Sequence, residues 1–304
     1  MPADKNYTKV PISPRDAVQR LTLKGLHIPD HAVAEKLISF VSYFRLRGYC
    51  LFFMQNAPAG HAHGTRVFKP GITWDHIQQA YECDRSIRNM ISAQLERIEV
   101  AFRSVLVEHM AHTHGNCFYS DIAKGFASKA VDHMDWLVDT MKEIKRSGEH
   151  PIKQYFANYK TPALPPSWYV TEAITFTRWS ILYRMLTNDK GAIAKPFGVP
   201  PDVLDSWMHA LSVLRNMCAH HARLLGKKLT LQPTTLKKFR QEFSQPNSLY
   251  TQLVVIQLLV KVIDGNDELL EALRGLPAKF PLVNLKDAYG IPEDWHLRDM
   301  WELT

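Results

Sequence analysis

The chain has 304 residues, of which 46% are hydrophobic and 22% are charged. This balance is typical of a globular protein with a sizeable core, and it excludes a largely disordered chain. The 37 Lys and Arg residues outnumber the 30 Asp and Glu residues, which gives a net charge of +7. Such a charge favours contact with polyanions such as RNA but does not require it.

Cysteine usage and hydropathy indicate a cytoplasmic protein. No two of the four cysteines have the CxxC spacing of a zinc site, so we expect reduced thiols, no metal and no cofactor. The first residues, MPADKNYTKVPISP, contain no apolar signal core. The most hydrophobic run, residues 253–263, is about half the length needed to cross a bilayer, so no membrane contact is expected.

Helical periodicity dominates the chain from its beginning to about residue 264. The predicted helices are Pro14–Lys24, His31–Leu46, Trp74–Met110, Lys129–Arg146, Ile152–Asn158, Tyr169–Leu186, Pro201–Leu225, Thr234–Glu242 and Leu249–Ile263. The longest one carries two charge pairs at four-residue spacing, which we expect on its surface. These pairs are Asp84 with Arg88 and Glu99 with Arg103.

Proline and glycine mark the connections. Loops are predicted at residues 57–65 and 160–167, and the three prolines of residues 275–292 should close the helical region. Tyr49–Met54 is a candidate strand but could equally continue a helix, and no hairpin is expected. We predict an all-α protein with an N-terminal helical segment over residues 1–73, a helical bundle over 74–264 and a short tail over 265–304.

The helix predicted over residues 201–225, PDVLDSWMHALSVLRNMCAHHARLL, has two distinct sides. At about 100° per residue, one side forms a buried apolar stripe. Its members are Leu204, Trp207, Leu211, Leu214 and Cys218. The opposite side is polar and is expected to face solvent. It carries Asp205, His209, Ser212, Asn216, His220 and Arg223. Arg215 lies at the edge of the stripe nearer the core, and His221 lies at the other edge.

Three of these residues suit phosphodiester chemistry. His220 can transfer a proton near neutral pH, Arg215 can hold two phosphate oxygens, and Asn216 can orient the imidazole. RNA carries its own nucleophile, the 2′-hydroxyl, so such a site needs no metal. The products would be a 2′,3′-cyclic phosphate and a 5′-hydroxyl. The Arg–His spacing alone is a weak signal, because similar pairs occur elsewhere among the fourteen histidines.

The segment RNMCAHH, followed by Arg223, resembles the R-N-x-x-x-H motif of HEPN domains. It matches the extended form R-N-x-C-A-H-H-x-R of the abortive-infection AbiD/AbiF-like family. Four further segments are similar to elements of that family, in the same order, over about residues 10 to 230. They are SYFRLRGY at 42–49, DRSIRNMISAQLERIEVAFRS at 84–104, the Trp168 to Tyr183 stretch with Glu172, and IAKPFG at 193–198. The chain departs from the pattern at Arg47, which replaces a serine, and in the stretch TFTRWS.

This resemblance implies a HEPN-like helical bundle and a metal-independent endoribonuclease of anti-phage abortive infection. It implies that Arg215 binds phosphate, Asn216 orients, and His220 is the general acid/base, with His221 and Arg223 as supporting candidates. HEPN active sites usually combine two motifs across a dimer, so a homodimer is expected. Self-toxicity would require control, for example by an antitoxin partner.

Several other residues are secondary candidates. Arg103 and His109 also fit the loose spacing and could form a second half-site; alternatively, Arg103 pairs with Glu99 and His109 is an ordinary surface residue. The cluster of His109, His112 and His114 has no carboxylate or cysteine at ligand spacing, so no metal site is predicted there.

Candidate RNA contacts lie in two places. Arg45 and Arg47, with Tyr43 and Tyr49 nearby, could stack on RNA, or the arginines could pair with Glu96 and Glu99. Lys227 and Lys228 follow the motif and could guide RNA towards it, or form a solvated face. Trp136 and Trp168 are expected in the core.

Two functions therefore remain open. The first is the endoribonuclease. The second is a non-catalytic HEPN-like module that binds RNA or protein, for example a structured non-coding RNA. A nucleotide-dependent or metal-dependent enzyme has little support, because the sequence contains neither a phosphate-binding glycine loop nor a paired-carboxylate metal motif.

Overall fold

A computed structural model describes residues 10–58, 65–121 and 133–302. The prediction of a mainly α-helical protein is confirmed, because helices make up most of the described chain. The helices are α1 (Pro14–Leu23), α2 (His31–Val41), α3 (Tyr43–Cys50), α4 (Trp74–His114), α5 (His133–Arg146), α6 (His150–Asn158), α7 (Ser167–Val170), α8 (Phe176–Met185), α9 (Lys190–Ala194), α10 (Pro201–Ala219), α11 (Leu249–Ile263), α12 (Glu268–Lys279) and α13 (Leu285–Tyr289).

Local capping residues set several helix starts. The Ser13 side chain accepts a hydrogen bond from the backbone N–H of Asp16, and Pro14 occupies the first turn of α1. The Asp30 carboxylate caps α2, and the Ser248 hydroxyl caps α11. Each side-chain oxygen satisfies a backbone donor that would otherwise lack a partner. These starts agree with the predicted ones.

The long helix α4 is continuous over 41 residues, which corresponds to about 60 Å. Its apolar positions form the buried stripe that the sequence predicts. They include Ile77, Ile87, Ile91, Leu95, Ile98 and Phe102. The prediction that its charged pairs lie on the surface is wrong, because Asp84, Arg88, Glu99 and Arg103 are all buried. Buried charged groups need internal partners; the Asp84 carboxylate, for example, accepts a hydrogen bond of 2.8 Å from the Tyr49 hydroxyl.

Three predicted helices are interrupted or differ in type. The helix predicted over His31–Leu46 breaks at Ser42, whose φ of 72° is incompatible with a continuous α-helix. The one predicted over Tyr169–Leu186 is divided into α7 and α8. The segment predicted over Thr234–Glu242 contains a 3-10 helix at Lys237–Phe243 instead. Residues 129–132 of a further predicted helix lie outside the described residues.

The expectation that the chain contains no hairpin is wrong, because two short strands pair in an antiparallel manner. Strands β1 (Met54–Asn56) and β2 (Arg66–Phe68) pair with Met54 opposite Phe68. Each strand has three residues, too few to show the alternation that identifies a strand in sequence. The candidate strand over Tyr49–Met54 is mostly helical, because α3 runs to Cys50 and a 3-10 turn follows.

The prediction that the prolines of residues 275–292 close the helical region is wrong. Helix α12 contains Pro277 near its C-terminal end, and α13 follows it. Buried leucines at three- and four-residue spacing hold α12 in place, so their burial offsets the hydrogen bond that proline removes. They are Leu269, Leu270, Leu273 and Leu276.

The chain divides into two compact units. One comprises Met1–Ser86 and Leu276–Asn284, and the other comprises Ile87–Gly275 and Leu285–Thr304. The core of the second unit contains aromatic side chains from α4 and α8; the rings of Phe102 and Tyr183, for example, meet edge to face at 5.5 Å. In the part of the chain that is described, no helix is both long and apolar enough to span a bilayer. The motif helix α10 lies wholly in the second unit.

Candidate functional site

The buried side of α10 is the one that the sequence predicts. Every member of the apolar stripe is buried. The helix begins at Pro201, and Asp202 lies in its first turn, where a carboxylate is favourable. Arg215 and His220 therefore lie at the C-terminal end of a helix that is packed along its length.

The helix ends earlier than predicted, just before His220. The backbone N–H of His221 donates to the carbonyl of Cys218 at 3.0 Å, and that of Ala222 donates to Met217 at 2.8 Å. This pair of bonds, with His221 at a φ of 54°, is the Schellman arrangement that terminates many helices. The predicted continuation of the helix to residue 225 is therefore wrong. The sequence does not reveal this helix end, because glycine usually occupies the left-handed position and here it is histidine.

The side of α10 opposite the stripe is not open to solvent, which corrects a second expectation. It packs against α8 and α9. Asp205 pairs with Arg184 of α8 at 3.1 Å, and Ser212 is fully buried. The amide nitrogen of Asn216 donates to the Thr177 hydroxyl at 3.1 Å. Of the residues predicted on the polar side, His220, just past the helix end, is exposed, whereas the others are buried or half-buried.

Arg215 is held at the edge of α10 by a carboxylate from α4. Its Nε lies 3.3 Å from Oε2 of Glu99, and its Nη1 lies 3.5 Å from Oδ1 of Asn216. About 37% of its side chain is exposed, whereas Glu99 is buried. The guanidinium is thus fixed on its inner side and open on its outer side. The side-chain amide of Asn216 thus helps to position Arg215, and the backbone carbonyl of Asn216 accepts a hydrogen bond of 3.0 Å from the His220 N–H.

The same carboxylate also binds Arg103. Oε1 of Glu99 accepts a hydrogen bond from Arg103, whose guanidinium also donates to the carbonyl of Ile174 at 3.3 Å. The expectation that Arg103 pairs with Glu99 is confirmed. Burial lowers the pKa of Arg103, and the nearby charge of Arg215 lowers it further, while Glu99 and Glu172 raise it. Two guanidiniums therefore converge on one buried carboxylate.

His109 has a different set of partners. Its Nε2 lies 2.8 Å from Oδ1 of Asp189, and Nε2 of His114 lies 3.0 Å from the other oxygen. Burial alone would raise the pKa of Asp189, but the hydrogen bonds from both histidines lower it overall. The structure thus places Arg103 and His109 in separate clusters. Over the described residues, no group of three or more His, Cys, Asp or Glu side chains is arranged to hold a metal ion.

The segment that follows the motif is anchored from α4. Arg88 donates a hydrogen bond of 3.3 Å to the carbonyl of Ala222. His221 is exposed, and Arg223 is half-buried. This anchor fixes the backbone that carries His220, although the imidazole itself extends into solvent.

The predicted RNA contacts are accessible to different degrees. The Arg45 guanidinium lies 5.9 Å from the centre of the Tyr81 ring and is half-buried, whereas Arg47 is exposed. Lys227 and Lys228 are exposed and line a pocket of about 380 Å³.

Sequence reasoning missed two features near Arg215. One is that Glu99 also binds Arg215, since the sequence indicates Glu99 only as an (i, i+4) partner of Arg103. The other is Trp168, predicted in the core but 46% exposed in a groove beside Arg103. The resemblance of the Trp168 to Tyr183 stretch to the family does not show which way the indole faces.

The comparisons with known proteins identify the family of the chain. Neither the curated proteins nor the solved structures that were searched contain a match. A family model described as "Abi-like protein" matches residues 36–226, which is more than half of the chain and includes the whole motif segment. Its name associates the family with abortive infection, a form of phage defence. The chain therefore belongs to the Abi-like protein family.

Proposed function

We propose that this protein is a metal-independent endoribonuclease of the HEPN type that acts in abortive infection. One observation carries the proposal: His220 extends into solvent at the end of α10, one turn beyond an Arg215 that is fixed on its inner side and open on its outer side. An accessible imidazole and a pre-positioned guanidinium are the two groups that phosphodiester cleavage by an internal nucleophile needs.

The reaction follows from these two groups. An imidazole removes the proton of the ribose 2′-hydroxyl, and the 2′-oxygen attacks the adjacent phosphorus. The bond between phosphorus and the 5′-oxygen breaks, and that oxygen takes up a proton. Arg215 pairs with the two non-bridging oxygens and stabilises the charge that builds up on them. The products are a 2′,3′-cyclic phosphate and a 5′-hydroxyl.

A homodimer would supply a complete site. Residues 215 and 220 are five positions apart, which places them about 140° apart around the helix axis. Arg215 is turned towards α4, and His220 lies past the helix end. One chain therefore presents the two groups in different directions, and two facing copies would bring the arginine of one to the histidine of the other. An antitoxin or a structured RNA that keeps the copies apart would control toxicity.

Cleavage of labelled RNA in the presence of EDTA tests the proposal. The wild type should yield fragments with cyclic-phosphate ends. Arg215→Ala and His220→Ala should each lower the rate by at least about 100-fold, since each removes a group used in the transition state. His150→Ala, which changes an exposed histidine at the start of α6, away from the motif, is the matched control and should keep full activity.

Two results would contradict the proposal. Tight RNA binding without cleavage by the wild type would support the alternative, a non-catalytic RNA-binding module. Cleavage that EDTA abolishes would indicate a metal-dependent reaction. Far-UV circular dichroism of each variant checks that the fold is retained.

A further inference from the structure

A groove lies between α4 and α7 in the second unit. It has a volume of about 630 Å³, within the range of about 300–1,000 Å³ that is common for small-ligand sites. Its apolar wall is formed by Val100, Val107, Ala111 and Trp168. Val100 and Trp168 are exposed, so the groove is open to a ligand from solvent.

The backbone that carries Trp168 is fixed although its ring is accessible. Its neighbour Ser167 is buried and donates a backbone hydrogen bond of 2.8 Å to the carbonyl of Asn116, and Val170 is fully buried. A planar aromatic side chain with two rotatable bonds loses little entropy when a flat ligand stacks on it. Stacking of a nucleobase on such a ring contributes about 1–3 kcal/mol.

The two carboxylates of the groove favour a base rather than a phosphate at their end of it. Glu108 and Glu172 line it, and the Glu172 side chain is 69% exposed. Ionised carboxylates only accept hydrogen bonds, so they repel phosphate oxygens and attract N–H donors. Guanine presents two adjacent N–H donors on one edge, which match the two oxygens of a carboxylate. Adenine, cytosine and uracil each place an acceptor beside their donor.

The groove adjoins the candidate site through Arg103. Arg103 lines the groove, lies 3.7 Å from Glu172 and shares the Glu99 carboxylate with Arg215. Its buried Nε finds no hydrogen-bond partner among the described residues. A nucleotide whose phosphate pairs with Arg215 would therefore have its base, or that of its neighbour, within reach of the groove.

We infer that this groove is a nucleobase subsite in which a guanine of the RNA stacks on Trp168 and donates its N–H groups to Glu172. The inference rests on the proposed ribonuclease function, since it names the part of the substrate that the site would read. It predicts a preference for cleavage next to guanosine.

Short RNA substrates with one variable base in a uridine background test the subsite. Trp168→Ala should raise KM about tenfold with little change in kcat, which corresponds to stacking energy lost in binding. Trp168→Phe should restore most of the affinity, because it keeps an aromatic face. Glu172→Gln should remove the preference for guanosine, and replacing guanosine by inosine, which lacks the 2-amino group, should weaken binding only when Glu172 is present.

Phe156→Ala is the matched control, because Phe156 is an aromatic residue that is 50% exposed and lies outside the groove. If the wild type cleaves RNA and both groove variants keep its KM and base preference, the subsite is disproved while the nuclease stands. If the wild type does not cleave, the nuclease fails, and affinity for the same oligonucleotides decides the subsite. Weaker binding by Trp168→Ala but not by Phe156→Ala supports it; equal binding overturns it.

Discussion

Glu99 determines the charge balance around Arg215. One buried carboxylate is shared by two guanidiniums, so the cluster keeps an excess of about one positive charge before Glu172 is counted. A buried charge is tolerated only when it is paired and hydrogen-bonded. Glu99 pairs with both guanidiniums, and the outer face of Arg215 remains available to an anion. Glu99 is thus a positioning residue that holds the phosphate-binding group in place.

Replacing Glu99 by glutamine should damage both stability and activity. Removing one partner of a buried ion pair typically costs about 3 kcal/mol or more, because the remaining charge is left uncompensated. We expect Glu99→Gln to lower the free energy of unfolding by about that amount in urea titration. RNA cleavage should fall as well, with a larger effect on kcat than on KM, because Arg215 loses its orientation.

Glu96→Gln provides the control, since Glu96 is exposed on the same helix. It should change unfolding by less than about 0.5 kcal/mol. If Glu99→Gln unfolds at the same urea midpoint as the wild type and cleaves RNA at the same rate, Glu99 neither stabilises the cluster nor positions Arg215.

The motif residues could be predicted from sequence, but their partners could not. RNMCAHH is a local pattern, so it identifies Arg215 and His220 directly. Glu99 lies in a different helix, and only tertiary packing brings it to Arg215. Trp168 could not be placed either, because the sequence predicts burial of tryptophan on average and does not show which side of a four-residue helix faces solvent.

At the level of elements, the way α10 ends decides which residues are exposed. Its polar side is covered by α8, so an uninterrupted helix would leave His220 on a covered flank. The left-handed backbone at His221 turns the chain away after His220 and exposes the imidazole. Termination of this helix is therefore part of how the site is built.

Substitutions at residue 221 test the role of this turn. A β-branched residue fits the left-handed region poorly, whereas glycine fits without strain. His221→Val should lower the free energy of unfolding by about 1–2 kcal/mol and reduce RNA cleavage. His221→Gly removes the same side chain without backbone strain, so it should be more stable than His221→Val. Thermal unfolding and the cleavage assay measure both effects.

The same change at a neighbouring position separates backbone strain from side-chain bulk. Ala219 is exposed and helical, so Ala219→Val should cost only about 0.5 kcal/mol of helix propensity. Equal stability of the valine and glycine variants at residue 221 would show that the turn does not depend on this conformation.

The elements that could be predicted are those whose signals are local. Ser13, Asp30 and Ser248 mark helix starts because their side chains bind the backbone a few residues away. The hairpin β1–β2 and helix α12 carry no such signal. The hairpin is too short to show alternation, and α12 contains Pro277, whose local penalty is outweighed by leucine burial that only the folded protein reveals.

At the scale of the whole molecule, the question is whether one chain or two form the site. The chain contains one RNxxxH motif, and its second Arg–His candidate is divided, since Arg103 joins the Arg215 cluster and His109 pairs with Asp189. A second complete half-site within the same chain is therefore not supported by these contacts. The proposed homodimer provides the missing half by symmetry.

Mixing two inactive variants distinguishes a shared site from a single-chain site. In a two-fold dimer, each shared site takes Arg215 from one copy and His220 from the other. A mixed dimer of Arg215→Ala and His220→Ala then has one site that lacks both groups and one that has both. Half of the dimers in an equimolar, re-equilibrated mixture are mixed, so activity should return to about one quarter of the wild-type value. Recovery should follow the concentration at which dimers form in light scattering. A site contained in one chain would gain nothing from mixing, because each copy would still lack one of its own two groups. Activity of the mixture that stays at the level of the separate variants would therefore exclude the shared arrangement.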